Sequence, residues 1–275
     1  VKFCLAFLLA LLAAGCSTVR LAYDNADIYL KWKLSSYLAL EGDDADELAA
    51  RIAGFMAWHR AHALPQYAAL ADDGARRFAR GLSREDLVWG YDSAIAQARE
   101  SARAAAERIA PLLDRLTPAQ IAHLQSALAD DNRKFAREYL RGGEPERRRR
   151  RVERNVERLE DWVGRLSEGQ VQRVALYSER APLLEEWRER DRKRLQAELL
   201  SLVRERQARK LLPDAAAHWD RGREPGYAAA YEASRSEYFS MVLDIDRSLS
   251  PEQRARALRR IRGWADDFRK LSRPR

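Results

Sequence analysis

Sulfur is almost absent from this chain. Its 275 residues include two cysteines, Cys4 and Cys16, both near the N-terminus. From Ser17 onward there is no thiol, which excludes disulfides, thiolate catalysis and cysteine metal sites there. Glycine is scarce too, at 13 scattered residues, so no glycine-rich phosphate loop can be read. No G-x-S-x-G turn exists to present a nucleophilic serine. Histidine occurs four times. His59 and His62 could share a helix face, but nothing in the sequence brings His123 or His218 to them as a third ligand. His59 also continues an apolar stripe, so it reads as a core histidine, and no metal is expected. The acid pairs Asp43–Asp44 and Asp266–Asp267 are adjacent in sequence. They therefore point to different faces of a helix and read as capping or solvent-facing acids. No catalytic residue and no cofactor are expected, and the chain does not read as an enzyme.

Long apolar runs are missing as well, apart from Phe3–Ala14 after the single Lys2. That run spans roughly 12 residues, whereas a membrane-crossing helix needs about 20. A short basic start, a short apolar run and small residues form the layout of a secretory signal. The following "LLAAGC", residues 11–16, resembles the lipobox of bacterial lipoproteins, with Ala13 where Leu is commoner. The resemblance implies a signal peptide over 1–15 and a lipidated Cys16 as the membrane attachment. Each buried CH₂ of an acyl chain contributes about 0.8 kcal/mol, so several chains make a lasting anchor. Ser17, by analogy with known sorting rules, implies the outer membrane, facing the periplasm.

Positive charge is present in excess but unevenly spread. The formal net charge is +8. Residues 17–140 carry 16 basic and 18 acidic side chains, while 141–275 carry 33 and 24. A basic half often signals nucleic acid, but an envelope address removes that partner. Phospholipid head groups, acidic envelope polymers and acidic protein surfaces remain, beside the alternative of solvated helix faces that bind nothing.

Helical period recurs almost everywhere and no alternating strand pattern is found. Apolar stripes run through Leu48, Ile52 and Phe55; Leu87, Tyr91, Ile95, Ala98, Ala102 and Ile109; and Ile121, Leu124, Leu128, Phe135 and Tyr139. Further stripes occupy 152–163, 184–202, 227–245 and 258–271. The expected fold is an all-α array or bundle of about eight to ten amphipathic helices in two halves. The N-terminal half covers 16–140 and the basic C-terminal half 147–275, divided at "RGGEPE", 141–146. "GREPGY", 222–227, is a second break, and Pro65 is expected to end or kink its helix.

Four segments share one pattern: "LSREDL", "LTPAQI", "LSEGQV" and "LSPEQR". Each places Ser83, Thr117, Ser167 or Ser250 three residues before Asp86, Gln120, Gln170 or Gln253, the spacing of a capping box. Pro118 and Pro251 fall at the first helical position, where proline is favoured. The same words resemble the Leu-Thr-x-x-Gln motif of small periplasmic stress chaperones, although capping alone explains them.

Over its length the chain resembles a family of uncharacterised Gram-negative lipoproteins, known as a domain of unknown function. The matching stretches are "GCSTVRLAYDNAD", "WHRAHALPQYAAL", "LTPAQIAHL" with "NRKFAREYL", "RRRRRVERNVERLEDWVGRLS" and "LSPEQRARALRRIRGWADDFRKL". The resemblance implies a periplasmic helical lipoprotein and no activity.

Three features suggest contacts. Arg147, Arg148, Arg149, Arg150 and Arg151 form either an anion-binding cluster or a solvated, Glu-paired helix start. Asn132 interrupts an apolar stripe, where a hydrogen-bonded amide can fix helix register. The aromatic segment after Cys16, with Tyr23, Tyr29, Trp32 and Tyr37, can lie on a bilayer or pack as the first helix; Asp24 and Asp27 favour packing. The function expected is a non-enzymatic binding or scaffold protein of the cell envelope. It would be held by the lipid on Cys16 and meet an envelope protein or an anionic envelope component. The alternative is a holdase for envelope proteins; an enzyme acting on envelope polymers or lipids ranks below both.

Overall fold

A computed structural model describes residues 18–273; residues 1–15, expected to be a signal peptide, and Cys16 lie outside them. The described residues are helical throughout, with no strand among them. Twelve α-helices follow one another: α1 (Thr18–Asp24), α2 (Ala26–Leu38), α3 (Gly42–Trp58), α4 (Leu64–Ala79), α5 (Arg84–Leu113), α6 (Pro118–Tyr139), α7 (Glu144–Val163), α8 (Glu168–Arg180), α9 (Glu185–Arg204), α10 (Ala208–Ala217), α11 (Pro225–Ser248) and α12 (Pro251–Ser272). The all-α array read from the stripes is thus the observed architecture. The seven-residue α1 and the short α10 add to the stripes counted from large apolar residues. No helix among the described residues is long and apolar enough to cross a membrane.

Pro65 lies at the start of α4, where a π turn separates that helix from α3. Its ring would clash with the carbonyl of Ala61 in a regular α-helix. The π turn over His59–Ala63 widens the backbone just before it, so helical structure runs on from α3 into α4. Each of the four capping boxes forms, starting α5, α6, α8 and α12 with both reciprocal bonds present. Two of them also interlock. Gln170 and Gln253 exchange amide bonds of 3.0 and 3.1 Å, joining the starts of α8 and α12.

Two apolar cores result. The first gathers Leu38, Leu48, Ile52, Leu112, Leu124 and Val203 from α2, α3, α5, α6 and α9. The second gathers Val163, Val174, Met241, Ile245 and Ala257 from α7, α8, α11 and α12, with Phe78 of α4 against it. The turn between α6 and α7 contains Gly142 at φ +76°, where a Cβ would meet Glu146 Cγ at 2.8 Å. Contacts nevertheless cross this break. α12 lies along α4, and α10 along α5. Small buried residues line these helices: Ala68 and Ala75 on α4, Ala257 and Ala265 on α12, Ala104, Ala106 and Ala110 on α5, Ala208 and Ala217 on α10. Small side chains allow a close interaxial approach. A polar tie reinforces the crossing: buried Asp246 accepts from Leu82 N at 2.9 Å and Arg254 Nη1 at 2.9 Å.

The segment after Cys16 has two faces. Tyr23, Leu30, Leu34 and Tyr37 pack on the first core, while Leu21, Ile28, Tyr29 and Trp32 stand exposed on the other side.

Candidate functional site

The arginine run 147–151 sits in the first turns of α7, beside the end of α8, and most of it is spent locally. Arg147 meets Glu186 at 3.0 Å, Arg149 meets Glu146 at 3.0 Å, and Arg150 meets Glu146 at 3.3 Å. Arg148 pairs with Glu144 at 2.6 Å and donates to the carbonyls of Ser178 and Ala181. Arg151 is buried and donates to the carbonyls of Pro182, Ser178 and Ala181 at 2.8, 2.8 and 2.9 Å. The last carbonyls of a helix have no donors within it, so Arg148 and Arg151 close the end of α8. Burial pushes the Arg151 guanidinium pKa down from its usual value.

Beyond Arg151 the chemistry changes. Arg154 and Arg158 continue its face along α7, while Arg188 and Arg192 stand one turn apart on α9. Together these five arginines line a cleft of about 450 Å³. Its walls include Phe135 and Tyr139 of α6, Tyr177 of α8 and Ser234 of α11, and Glu185 is the single carboxylate in the lining. Arg192 lies 5.2 Å from the Phe135 ring centre and Arg151 5.5 Å from that of Tyr177. Such rings hold guanidinium planes through cation–π attraction. Among the described residues, no ion pair engages Arg154, Arg158, Arg188 or Arg192, although paired arginines surround them on α7 and α9. The Nε of Arg192 and Glu185 Oε2 are buried without hydrogen-bond partners. Five guanidinium groups drawn together around a single carboxylate form a focused positive field, suited to a phosphate or carboxylate guest.

Consecutive arginines drew attention in the sequence, whereas helical spacing carries the cleft. Arg151, Arg154 and Arg158 at i, i+3, i+7, facing Arg188 and Arg192 at i, i+4, were the available signal.

The other candidates are kept apart. Tyr23 Oη lies 2.9 Å from His59 Nδ1, Tyr67 Oη lies 3.4 Å from Nε2, and His62 stacks on Trp58. His123 reaches the Ser36 carbonyl at 3.0 Å and His218 the Asp214 carboxylate at 3.0 Å. No group of three or more metal-ligating side chains occurs among the described residues. Asp267, expected at a cap or in solvent, is buried and pairs with Arg20 at 3.2 Å. Asn132 and Gln196 exchange two amide bonds of 2.6 and 3.1 Å, a register-fixing contact between α6 and α9.

The fold and cleft define an all-helical protein with an arginine-lined recess. Residues 36–221 match the family of unknown function DUF6279, and the chain belongs to that family. No curated protein and no solved structure matches the chain.

Proposed function

We propose that this protein is a lipid-anchored, non-enzymatic binding protein of the cell envelope, facing the periplasm from the outer membrane. In this reading its arginine cleft takes an anionic envelope component bearing phosphate. The observation that carries the proposal is the set of guanidinium groups of Arg154, Arg158, Arg188 and Arg192 around one recess, none of them in an ion pair among the described residues. Exposed Leu21, Ile28, Tyr29 and Trp32, on the helices directly after Cys16, suit a surface held close to a bilayer. The four Leu-Ser/Thr words are consumed as capping boxes, so they lend no support to a holdase.

The test is titration with inorganic pyrophosphate. The wild type should bind it, and Arg154→Gln with Arg188→Gln should weaken binding about tenfold or more, the effect of losing charge-assisted bonds. Equal binding by wild type and the double variant, or none by either, would reject the cleft. Separately, Cys16→Ala should move the protein out of the membrane fraction; retention there would reject the anchor.

A further inference from the structure

A second space, open on one side, borders the first core. It measures about 520 Å³ and is lined almost wholly by hydrocarbon, including Leu34, Ile52, Phe55, Ile109, Leu124 and Leu128. The two charged residues on its border are already engaged. Arg51 binds Glu47 and the Arg108 carbonyl, and Arg108 binds the Ala104 carbonyl. Water gains nothing from a lining without polar partners, and an apolar cavity of about 150 Å³ already suffices to bind benzene. A space over three times that size fits the range of true ligand pockets, about 300–1,000 Å³.

Its position identifies the guest. Along α6, Leu124 and Leu128 line the apolar space, Asn132 follows, and Phe135 and Tyr139 line the arginine cleft. Along α9 the order runs from Leu199 through Gln196 to Arg192 and Arg188. Each step is about one helical turn, ~5.4 Å. A hydrocarbon space and a cationic space thus adjoin on the same two helices, with one amide pair between them.

We infer that the apolar cavity holds the alkyl chain of a single-chain anionic amphiphile, a fatty acid or a lysophospholipid, whose head lies in the arginine cleft. The head-group half rests on the proposed function; the chain half rests on the cavity. The Asn132–Gln196 pair is the point the chain must pass, so it opens on binding and closes behind a departing ligand.

The experiment is calorimetric titration of the full-length protein with hexadecanoate, 1-palmitoyl lysophosphatidylglycerol, hexadecanol and inorganic pyrophosphate, the amphiphiles held below micelle-forming concentrations. Wild type should bind at least one anionic amphiphile about tenfold or more tightly than either pyrophosphate or hexadecanol, since chain and head then contribute together. The tighter of hexadecanoate and the lysophospholipid names the head group. Ala105→Phe and, independently, Leu128→Trp fill the cavity. Each should lose the amphiphile about tenfold or more while pyrophosphate affinity and thermal midpoint hold. Amphiphile binding unchanged in both folded variants would overturn the inference and leave the cleft standing. Equal affinity for hexadecanol and hexadecanoate would overturn its anionic half. Absent pyrophosphate binding together with cavity-dependent uptake of hexadecanol would reject the cleft while keeping the chain site.

Discussion

The two spaces along α6 and α9 are similar in volume, about 520 and 450 Å³, and opposite in chemistry. In the first, the helices present leucine, isoleucine and alanine, and the bordering arginines are turned to carbonyls and an acid. In the second, arginine faces arginine and one carboxylate stands among them. A hydrocarbon pocket and a recess that concentrates charge thus adjoin within a few turns of the same helix pair. The difference teaches that arginine content says little by itself here. A guanidinium that closes a helix end is structural, and one left without an acid is available for a guest.

That distinction can be broken most directly at α7. Arg151→Ala should destabilise the protein by about 3 kcal/mol, because a buried side chain with three charge-assisted bonds is lost and the Pro182 carbonyl keeps no donor, Arg148 still serving those of Ser178 and Ala181. Arg151→Lys should recover only part, since an ammonium cannot reproduce the planar fork. Arg154→Ala, three residues on, should fall within about 0.5 kcal/mol of wild type, as a surface change that removes no paired contact. Urea unfolding of the three variants decides the matter, and equal losses at 151 and 154 would erase the distinction between structural and free arginines.

Much of this fold was legible before any coordinate. The helical class followed from period, and the starts of α5, α6, α8 and α12 followed from capping boxes whose chemistry is local. What stayed hidden depends on distance. Stripes of large residues do not reveal that α4 meets α12 through alanines, nor that Gln170 and Gln253 join two helix starts. The run 147–151 was visible because its members are neighbours in sequence. The cleft was not, because Arg154 and Arg158 must be matched to Arg188 and Arg192 across a turn and an intervening helix. Pro65 marked a real irregularity whose form was hidden: proline excludes a regular turn before it, and the chain answered with a π turn.

The partition between the two spaces offers a smaller effect. Asn132→Leu should cost about 1–2 kcal/mol, because the Gln196 amide loses both bonds in a half-buried setting. Adding Gln196→Leu should return most of that loss, since two apolar groups replace two paired ones. The cycle is read by thermal unfolding. A double variant no more stable than the single would mean that the pair does not act as a unit, and that the boundary between the spaces is held elsewhere.

The smallest effect lies behind the apolar wall, where Phe55 lines the cavity and packs 5.6 Å from His59. Burial holds the His59 pKa below its usual value, and the groups facing it do not offset that. They are the hydroxyls of Tyr23 and Tyr67 and the rings of Phe55 and Trp58, with burial pushing the Tyr23 pKa up to about 12. As pH falls through about 6.5, the unfolded chain takes up a proton that the folded chain refuses. Stability therefore falls with pH below that point, by at most about 1.4 kcal/mol per pH unit, and levels off once folded His59 is protonated. His59→Gln should flatten this decline between pH 7 and 5. Arg154→Gln, in the other space, should leave the decline intact. A decline unchanged in His59→Gln, or one that vanishes with Arg154→Gln, would assign the pH response to the wrong one of the two regions.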